Sequence, residues 1–258
     1  MNAGVPISGV VTTFNNAGTL AECLASMAFC DEIVVLDSGS SDATLDIARG
    51  YGARIAIQPF AGYSAQKQAA LDLARHDWAL LLDADEFLLE GAAAVIRREL
   101  AAPRAQGYRL PRREWLFWHW VRPGTASNWQ LRLFRRSHAR MNDVPVHAEP
   151  KVDGRVIDLR APMRHRGEAD ISARVEKINR YTNGMVEYKR QRGTRFVGLR
   201  MLLYPWAAFA RFYFVKRYFL NGWAGFIAAR TYAFYAFLKY AKLHEAMRAP
   251  RSHKTGRW

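Results

Sequence analysis

The feature that most constrains this chain is an alternation in its N-terminal third, where four short apolar runs are each followed by a stretch of helical pattern. Ile7 to Phe14 is β-branched and aromatic and passes into the turn-forming Asn15 and Asn16. Leu20, Cys23, Leu24 and Met27 then share one helical face. Glu32 to Asp37 is a continuous apolar run closing on a carboxylate, and Ser38, Gly39, Ser40 and Ser41 lead from it into the helical stretch Asp42 to Arg49. Arg54 to Gln58 reads as a third strand, Ser64 to Arg75 as a helix, and Trp78 to Leu82 as a fourth strand ahead of Asp83, Ala84, Asp85 and Glu86. Short strands that are apolar throughout and alternate with helices are buried on both faces. The pattern therefore predicts the α/β class, a mostly parallel sheet covered by flanking helices. Such sheets collect ligands at the carboxyl ends of their strands, which is where Asn15, Asp37 and the Asp83/Asp85 pair fall.

The remainder of the chain follows other rules. Between Gly107 and Pro150, strand-like pieces at Tyr108 to Pro111 and Gln130 to Phe134 surround Trp115, Trp118, Trp120 and Trp129. Interleaved with Arg112, Arg113, His119 and Arg122, these indoles suit a ligand-side or interfacial loop, because indole offers a flat apolar face for stacking and also favours the headgroup boundary. Glu168 to Arg192 is predicted helical and strongly charged. Phe196 to Leu243 is predicted helical and aromatic, with breaks at Pro205 and at Asn221 and Gly222.

Charge divides the same way. Residues 1–159 carry 17 Lys/Arg and 18 Asp/Glu, whereas residues 160–258 carry 21 and 5, so the whole net charge of +15 resides in the C-terminal part. That excess calls for an anionic partner: phospholipid, phosphorylated glycolipid or nucleic acid. The longest stretch without a formal charge, Tyr218 to Ala229, has 12 residues. A spanning helix needs about 20, and a central Arg such as Arg230 would cost ~2.5–3.5 kcal/mol on insertion scales. The expectation is helices lying in an anionic interface, where each basic residue adds about 1 kcal/mol. The N-terminus has no basic region ahead of a long apolar run, so no signal peptide is expected, and the protein is expected in the cytoplasm on the inner face of the membrane. Cys23 and Cys30 offer neither a disulfide framework nor a metal-ligand spacing and read as buried thiols in a reducing compartment. Two domains are expected: one over residues 1–160, itself divided into about 7–90 and about 105–160, and a basic helical region over 161–258 that meets the membrane and packs on the first.

Asp83 and Asp85 are two apart, so on an extended strand they project to one side. A divalent ion held by such carboxylates completes its shell with phosphate oxygens. Chance alone gives about two such pairs in a chain with 23 acidic residues; the other, Glu168 and Asp170, follows no apolar run and reads as a solvated face. Asp37 is expected to be free for a ribose or base, because Asp42 or Ser41 is better placed to cap the following helix.

The order VVTTFNNAGTLAECLASM, DEIVVLDSGSSDAT and AQKQAALDLARHDWALLLDADEF resembles the nucleotide-diphospho-sugar-binding half of the family 2 glycosyltransferases. Within that family, RLFRR followed by VPVHAEP, and the tail FLNGWAGFIAARTYAFYAFLKYAKL, resemble the lipopolysaccharide inner-core glucosyltransferase-like group. The resemblance covers roughly residues 7–243. It implies a GT-A fold, transfer with inversion in one displacement, Mg²⁺ or Mn²⁺ as cofactor, a nucleotide-diphosphate sugar such as UDP-glucose as donor, and a lipid-linked saccharide such as lipopolysaccharide core as acceptor. Position by position, it puts Thr13 and Asn15 near the nucleotide and Asp37 against the base or ribose. Asp83 comes close to the ribose and the metal, Asp85 becomes the metal ligand, and Gln66 and Lys67 face the donor.

A general base must also take the acceptor proton. Related sequences present His followed directly by Glu, whereas here His147 is followed by Ala148 and Glu149. Glu149 is the first choice for the base and Asp143 the second, with His147 positioning the acceptor or the leaving group. Nucleic acid is not an expected partner, since the aromatics are grouped with Leu and Ala in apolar helices and no nucleic-acid fold signature occurs. Nucleotidyl transfer would need a glycine-rich phosphate loop, which Thr12 to Gly18 is not. A glycosyltransferase-like protein without turnover is favoured only by the altered stretch from His147 to Glu149.

Overall fold

The computed structural model describes residues 4–145, 148–167 and 170–248. The chain forms two compact units, Met1–Trp115 with Ser127–Gly167, and Leu116–Ala126 with Glu168–Trp258.

The first unit opens with β1 (Ile7–Thr13), α1 (Leu20–Ser26), β2 (Glu32–Asp37), α2 (Thr44–Gly50), β3 (Arg54–Ile57), α3 (Tyr63–Asp72) and β4 (Trp78–Asp83). Then come β5 (Glu86–Leu88), α4 (Ala92–Ala101) and β6 (Gly107–Leu116), with the two-residue β7 (His119–Trp120) falling in the second unit. The chain returns through β8 (Asn128–Arg135), β9 (Ala139–Met141), β10 (Pro150–Val152), β11 (Val156–Asp158) and β12 (Met163–His165).

The main sheet runs β3-β2-β1-β4-β8-β6-β12-β5. Its first four strands are parallel, as the alternating pattern predicts. Beyond β4 the sheet is mixed: β8 is antiparallel to both β4 and β6, β12 is parallel to β6, and β5 is antiparallel to β12. No helix separates β6 from β8, so the two can pair only as antiparallel neighbours.

Val10, Val11, Val34, Val35, Leu80, Leu81 and Leu82 are fully buried, as strands covered on both faces require. Gly9 is where a turn comes closest to this layer, since a β-carbon there would lie 3.2 Å from Met27 Sδ and 3.4 Å from Cys30 Sγ. Burial pushes the Cys23 thiol well up and the Cys30 thiol up to about 12, so neither is a nucleophilic thiolate.

Two registers build the site. Along β1, Thr13 pairs with Asp37 and Thr12 with Asp83, which levels the carboxyl ends of three strands. Along β12, His165 stands opposite Glu86 on one side and Glu114 on the other.

The second unit contains α5 (Ile171–Gln191), α6 (Val197–Ala210) and α7 (Gly222–Arg248). Asp170, read from the sequence as merely solvated, caps α5 by accepting a 2.8 Å hydrogen bond from the Ala173 N–H. The expected break at Pro205 does not occur, since α6 runs through it. Reversal takes place later, through a π-helical turn at Arg211–Val215 and a 3₁₀ turn at Tyr218–Asn221, with Arg217 in the left-handed region at φ 59°.

The division between the units differs from the expected one in two places. β12 is a strand of the main sheet, so the first unit extends past residue 160. Leu116–Ala126 belongs with the helices, because Leu116, Phe117 and Val121 pack with Phe212, Tyr218, Ala224, Ala228 and Tyr232. Asn221 fastens it, its Oδ1 accepting from the Arg122 N–H at 2.8 Å and its Nδ2 donating to Thr125 Oγ1 at 2.9 Å. The four tryptophans are therefore not one loop: Trp115 and Trp129 lie on β6 and β8, while Trp118 and Trp120 belong to the second unit. Among the described residues, no helix is long and apolar enough to cross a membrane.

Candidate active site

The first group lies at the ends of β1 and β2. Asp37 is fully buried and not free: its Oδ1 accepts from the N–H groups of Gly39 (2.8 Å) and Ser40 (2.7 Å), and its Oδ2 from Thr13 Oγ1 (2.8 Å) and Ser40 Oγ (2.5 Å). Burial alone would raise its pKa, but these donors hold the carboxyl below the usual carboxylate range. Asp37 is thus not free as its place in the sequence suggests, since four donors engage the carboxylate and make it the organiser of the Ser38–Ser41 turn. Thr13 serves the same purpose. Asn15, at φ 53° and exposed, accepts from the Ser41 N–H at 2.9 Å and is held from its own N–H by Ser40 Oγ at 2.8 Å. Asp42 binds the Ala17 and Thr44 N–H groups and bridges the same two loops.

The second group is a charged network across β4, β5, β6, β8 and β12. The Lys67 ammonium on α3 pairs with Asp83 Oδ1, and Arg132 on β8 holds Asp83 Oδ2 at 2.9 Å. Arg132 also donates to the fully buried Glu86, from Nε at 2.8 Å and from Nη2 at 2.7 Å, and Arg112 reaches Glu86 Oε1 at 2.5 Å. Arg112 donates from Nε to Glu114 Oε1 at 3.0 Å, an oxygen that Asn128 Nδ2 also reaches at 3.0 Å. Desolvation opposes ionisation of Asp83 and Glu114, yet Lys67 and Arg132 around the first, and Arg112 and His165 around the second, keep both carboxyls well below their ordinary range.

The network ends on His165. Its Nδ1 lies 2.6 Å from Glu114 Oε2 and its Nε2 lies 3.1 Å from Asp85 Oδ2. Burial disfavours the charged ring, but the Asp85 charge and the hydrogen bonds to Asp85 and Glu114 prevail, and its pKa is pushed up to about 10. The Asp85 backbone is fixed too, its carbonyl accepting from the Arg166 N–H at 2.9 Å.

Asp85 and His165 are the two residues of this network that would hold a divalent ion. Adjacent ligands of an octahedral Mg²⁺ shell with bonds of 2.0–2.1 Å are about 2.9 Å apart. Asp85 Oδ2 and His165 Nε2, at 3.1 Å, are spaced as such a pair. A carboxylate on the far nitrogen of a metal-binding imidazole is the usual supporting contact, and Glu114 occupies that position. Among the described residues there is no group of three or more His, Cys, Asp and Glu arranged to hold an ion. Asp83 is less suited to the metal than the sequence suggests, because each of its oxygens already carries a cationic partner.

The other sequence candidates are distributed as follows. Gln66 is buried on α3, its Nε2 donating at 3.1 Å to the Gln58 carbonyl on the loop before that helix, so it shapes the loop where it was expected to face the donor. Asp143 and Glu149 are exposed on the segment between β9 and β10, which α3 tethers through Ser64 Oγ to Asn142 Oδ1 (3.1 Å) and to the Val144 carbonyl (3.3 Å). His147 lies outside the described residues. Sequence reasoning assigns no site role to His165, Glu114, Glu86, Arg112 or Arg132. Arg112 and Glu114 share a strand face by their spacing of two, and Arg132 lies inside the RLFRR motif, but nothing local marks His165.

Residues 8–150, more than half of the chain, match the model of Glycosyl transferase family 2. Over 250 residues the chain is 30% identical to the lipopolysaccharide core biosynthesis glycosyltransferase LpsC of Rhizobium meliloti (strain 1021), covering 93% of each chain. It is 28% identical over 255 residues to an uncharacterized glycosyltransferase of Rickettsia felis, covering 93% of this chain and 90% of that one. Among solved structures it is similar to S. aureus TarS 1–349, with a TM-score of 0.44 and 17% identity over 95% of this chain and 91% of that one. A shorter similarity, with a TM-score of 0.37 and 25% identity, covers 43% of this chain and 45% of glucosyl-3-phosphoglycerate synthase from Mycobacterium tuberculosis in complex with Mn²⁺, UDP and glucosyl-3-phosphoglycerate. With a parallel donor-half sheet, an Asp-X-Asp motif at the end of its fourth strand and this family match over most of that unit, the chain belongs to glycosyl transferase family 2 and is a glycosyltransferase of GT-A type.

Proposed function

We propose that this enzyme transfers a hexose from a nucleotide-diphosphate sugar, UDP-glucose being the first choice, to a lipid-linked saccharide such as lipopolysaccharide core, with inversion and with Mg²⁺ or Mn²⁺ held by Asp85 and His165. The observation that carries the reading is the Asp85–His165–Glu114 relay beside the Lys67–Asp83–Arg132 cluster. Four carboxylates, Asp83, Asp85, Glu86 and Glu114, face three permanent cations, Lys67, Arg112 and Arg132. The His165 imidazolium, its pKa raised to about 10, adds a fourth positive charge, and binding a divalent ion through Nε2 would release that proton. The lipopolysaccharide part is supported by the Rhizobium meliloti relative, a lipopolysaccharide core biosynthesis glycosyltransferase.

A divalent ion bound there supplies positive charge to the departing diphosphate. The chain's own residues do the rest. Lys67 and Arg132 fix the Asp83 carboxylate, whose side chain retains 31% exposure and can accept from a ribose hydroxyl. Thr13, Asp37 and Ser40 hold the turn that walls the nucleotide, and Asn15 is its exposed edge. Glu149 is proposed as the base that takes the acceptor hydroxyl proton, with Asp143 the second choice and His147 positioning the acceptor or the leaving group; Ser64 ties Asn142 and Val144, on either side of Asp143, to the helix that carries Lys67. The basic second unit is proposed to work at the cytoplasmic face of an anionic membrane, where a lipid-linked acceptor resides.

The test is a thermal-shift panel of sugar nucleotides with and without Mn²⁺ on wild type, Asp85→Ala and His165→Ala. A ligand that binds only the native state stabilises it by about 2.7 kcal/mol at a hundred times its Kd. The expected result is an Mn²⁺-dependent rise with one nucleotide sugar, absent in Asp85→Ala and weakened in His165→Ala. A folded wild type that responds to no donor, with or without anionic vesicles, overturns the reading.

A further inference from the structure

α7 is packed inside out. The face it buries is made largely of small residues, Ala224, Gly225, Ala228, Ala229, Ala233 and Ala236, while Trp223, Phe226, Phe234 and Phe237 are exposed. In a helix built for water the large apolar side chains would be inside. Small residues in the contact allow close approach of backbones, the packing mode of helices whose outer surfaces meet lipid. A methyl group on Gly225 would collide with the Tyr218 carbonyl oxygen, so the approach here is as close as glycine allows.

α6 behaves in the same way. Val197 is its one buried residue among those described, and Leu199, Leu202, Leu203, Tyr204 and Trp206 are exposed. Ring contacts of Tyr204 with Tyr240 and of Phe209 with Phe226 show α6 and α7 running antiparallel as a hairpin. Its tip is the segment between them, whose Tyr213 and Phe219 form an aromatic cluster with Phe209 of α6 and Phe226 of α7. Outside that cluster stand Phe214 at 60% exposure, Val215 at 73% and Trp223 at 76%, with Trp206 at 67% further along α6. Large apolar side chains exposed in this number on one hairpin mark a contact face.

The charge pattern selects the occupant. Residues 188–244 contain eleven Lys and Arg and no Asp or Glu. Arg195, Arg211, Arg217 and Arg230 are exposed among the aromatics. A second copy docked through the same face would bring these cations against themselves, since a two-fold interface opposes a patch to its own copy. An anionic leaflet supplies the missing negative charge continuously and accepts aromatic side chains at the headgroup boundary.

We infer that the α6–α7 hairpin is a monotopic membrane anchor, whose exposed aromatic face and tip enter an anionic bilayer interface without crossing it. Insertion of such faces reaches about 5–10 Å, with the arginines left at headgroup level. The inference deepens the membrane part of the proposed function, and it rests on that part alone.

The test is flotation of the full-length protein with vesicles of phosphatidylglycerol and phosphatidylcholine, and with phosphatidylcholine alone, without nucleotide or acceptor. The variant is Trp206→Ser, Phe214→Ser and Trp223→Ser combined, all outward-facing, with circular dichroism and the soluble nucleotide-sugar thermal shift as controls on its fold. Wild type is expected to float with the phosphatidylglycerol vesicles, to lose most of that binding in high salt or on phosphatidylcholine alone, and to bind at least about tenfold more tightly than the variant. Wild type that does not float, or a folded variant that floats equally well, overturns the inference. So does a wild-type dimer that the same substitutions dissociate, since the face would then be a protein interface. Because vesicle binding requires no donor, the anchor and the transferase reading can fail independently.

Discussion

The strand-end network and the α6–α7 hairpin solve opposite problems. In the network, charged groups are drawn inside and each meets a partner: Glu86 is fully buried between Arg112 and Arg132, and His165 is clamped between Glu114 and Asp85. In the hairpin, alanine and glycine are inside, aromatics are outside, and residues 197–244 hold cations with no carboxylate among them. Ordinary water-soluble packing accounts for neither. The first is a network in which buried charges are balanced within the chain itself. The second is a surface whose balance is to be completed from outside the chain. Buried charge therefore marks chemistry here, and exposed aromatic surface marks a contact.

The comparison can be broken at its strongest point with Arg132→Met. This leaves Glu86 buried against one remaining guanidinium and removes a partner of Asp83, so urea unfolding is expected to show a loss of about 3–5 kcal/mol. A loss of only ~0–1 kcal/mol, the range typical of exposed ion pairs, would mean that the network behaves as a surface contact.

Asp37→Asn tests whether the adjoining turn is held by charge. Replacing an acceptor of four hydrogen bonds with an amide is expected to cost about 1.5–3 kcal/mol at neutral pH. The carboxyl is held below its unfolded value, so the wild-type advantage is fully present above about pH 4 and is lost as pH falls through the folded pKa. Stability curves of the two proteins that stay parallel through acid would show that the charge has no part in it.

Gly225→Ala sharpens the other side. The added methyl meets backbone at Tyr218, so overpacking of about 1–3 kcal/mol is expected in thermal unfolding. Unchanged stability would show that the hairpin closes loosely and that its small-residue seam is not its packing determinant.

Much of the donor half is legible in the sequence. Its strands are apolar runs bounded by turn residues, and their polar ends fall at the site by the general behaviour of parallel sheets, so Asp83 and Asp85 can be named from local pattern. Asp37 is legible in its place but not in its state, because sequence shows a carboxylate after a strand and not the four donors that fold back onto it. The Trp115–Trp129 stretch reads as one loop, yet proximity in sequence is poor evidence where β6 and β8 diverge and Leu116–Ala126 joins the other unit.

Local sequence settled the part governed by near neighbours: the strand–helix alternation, the paired aspartates at a strand end, and a basic, aromatic tail poor in acids. Tertiary structure alone decided what those features meet. His165 reaches Asp85 across 80 residues because β12 inserts between β6 and β5 in one particular register, and no local propensity encodes strand order. Likewise, the composition of α7 announced a helix but not which of its faces would be buried. That choice depended on the close approach of the Tyr218–Asn221 turn and of α6, which only small side chains permit.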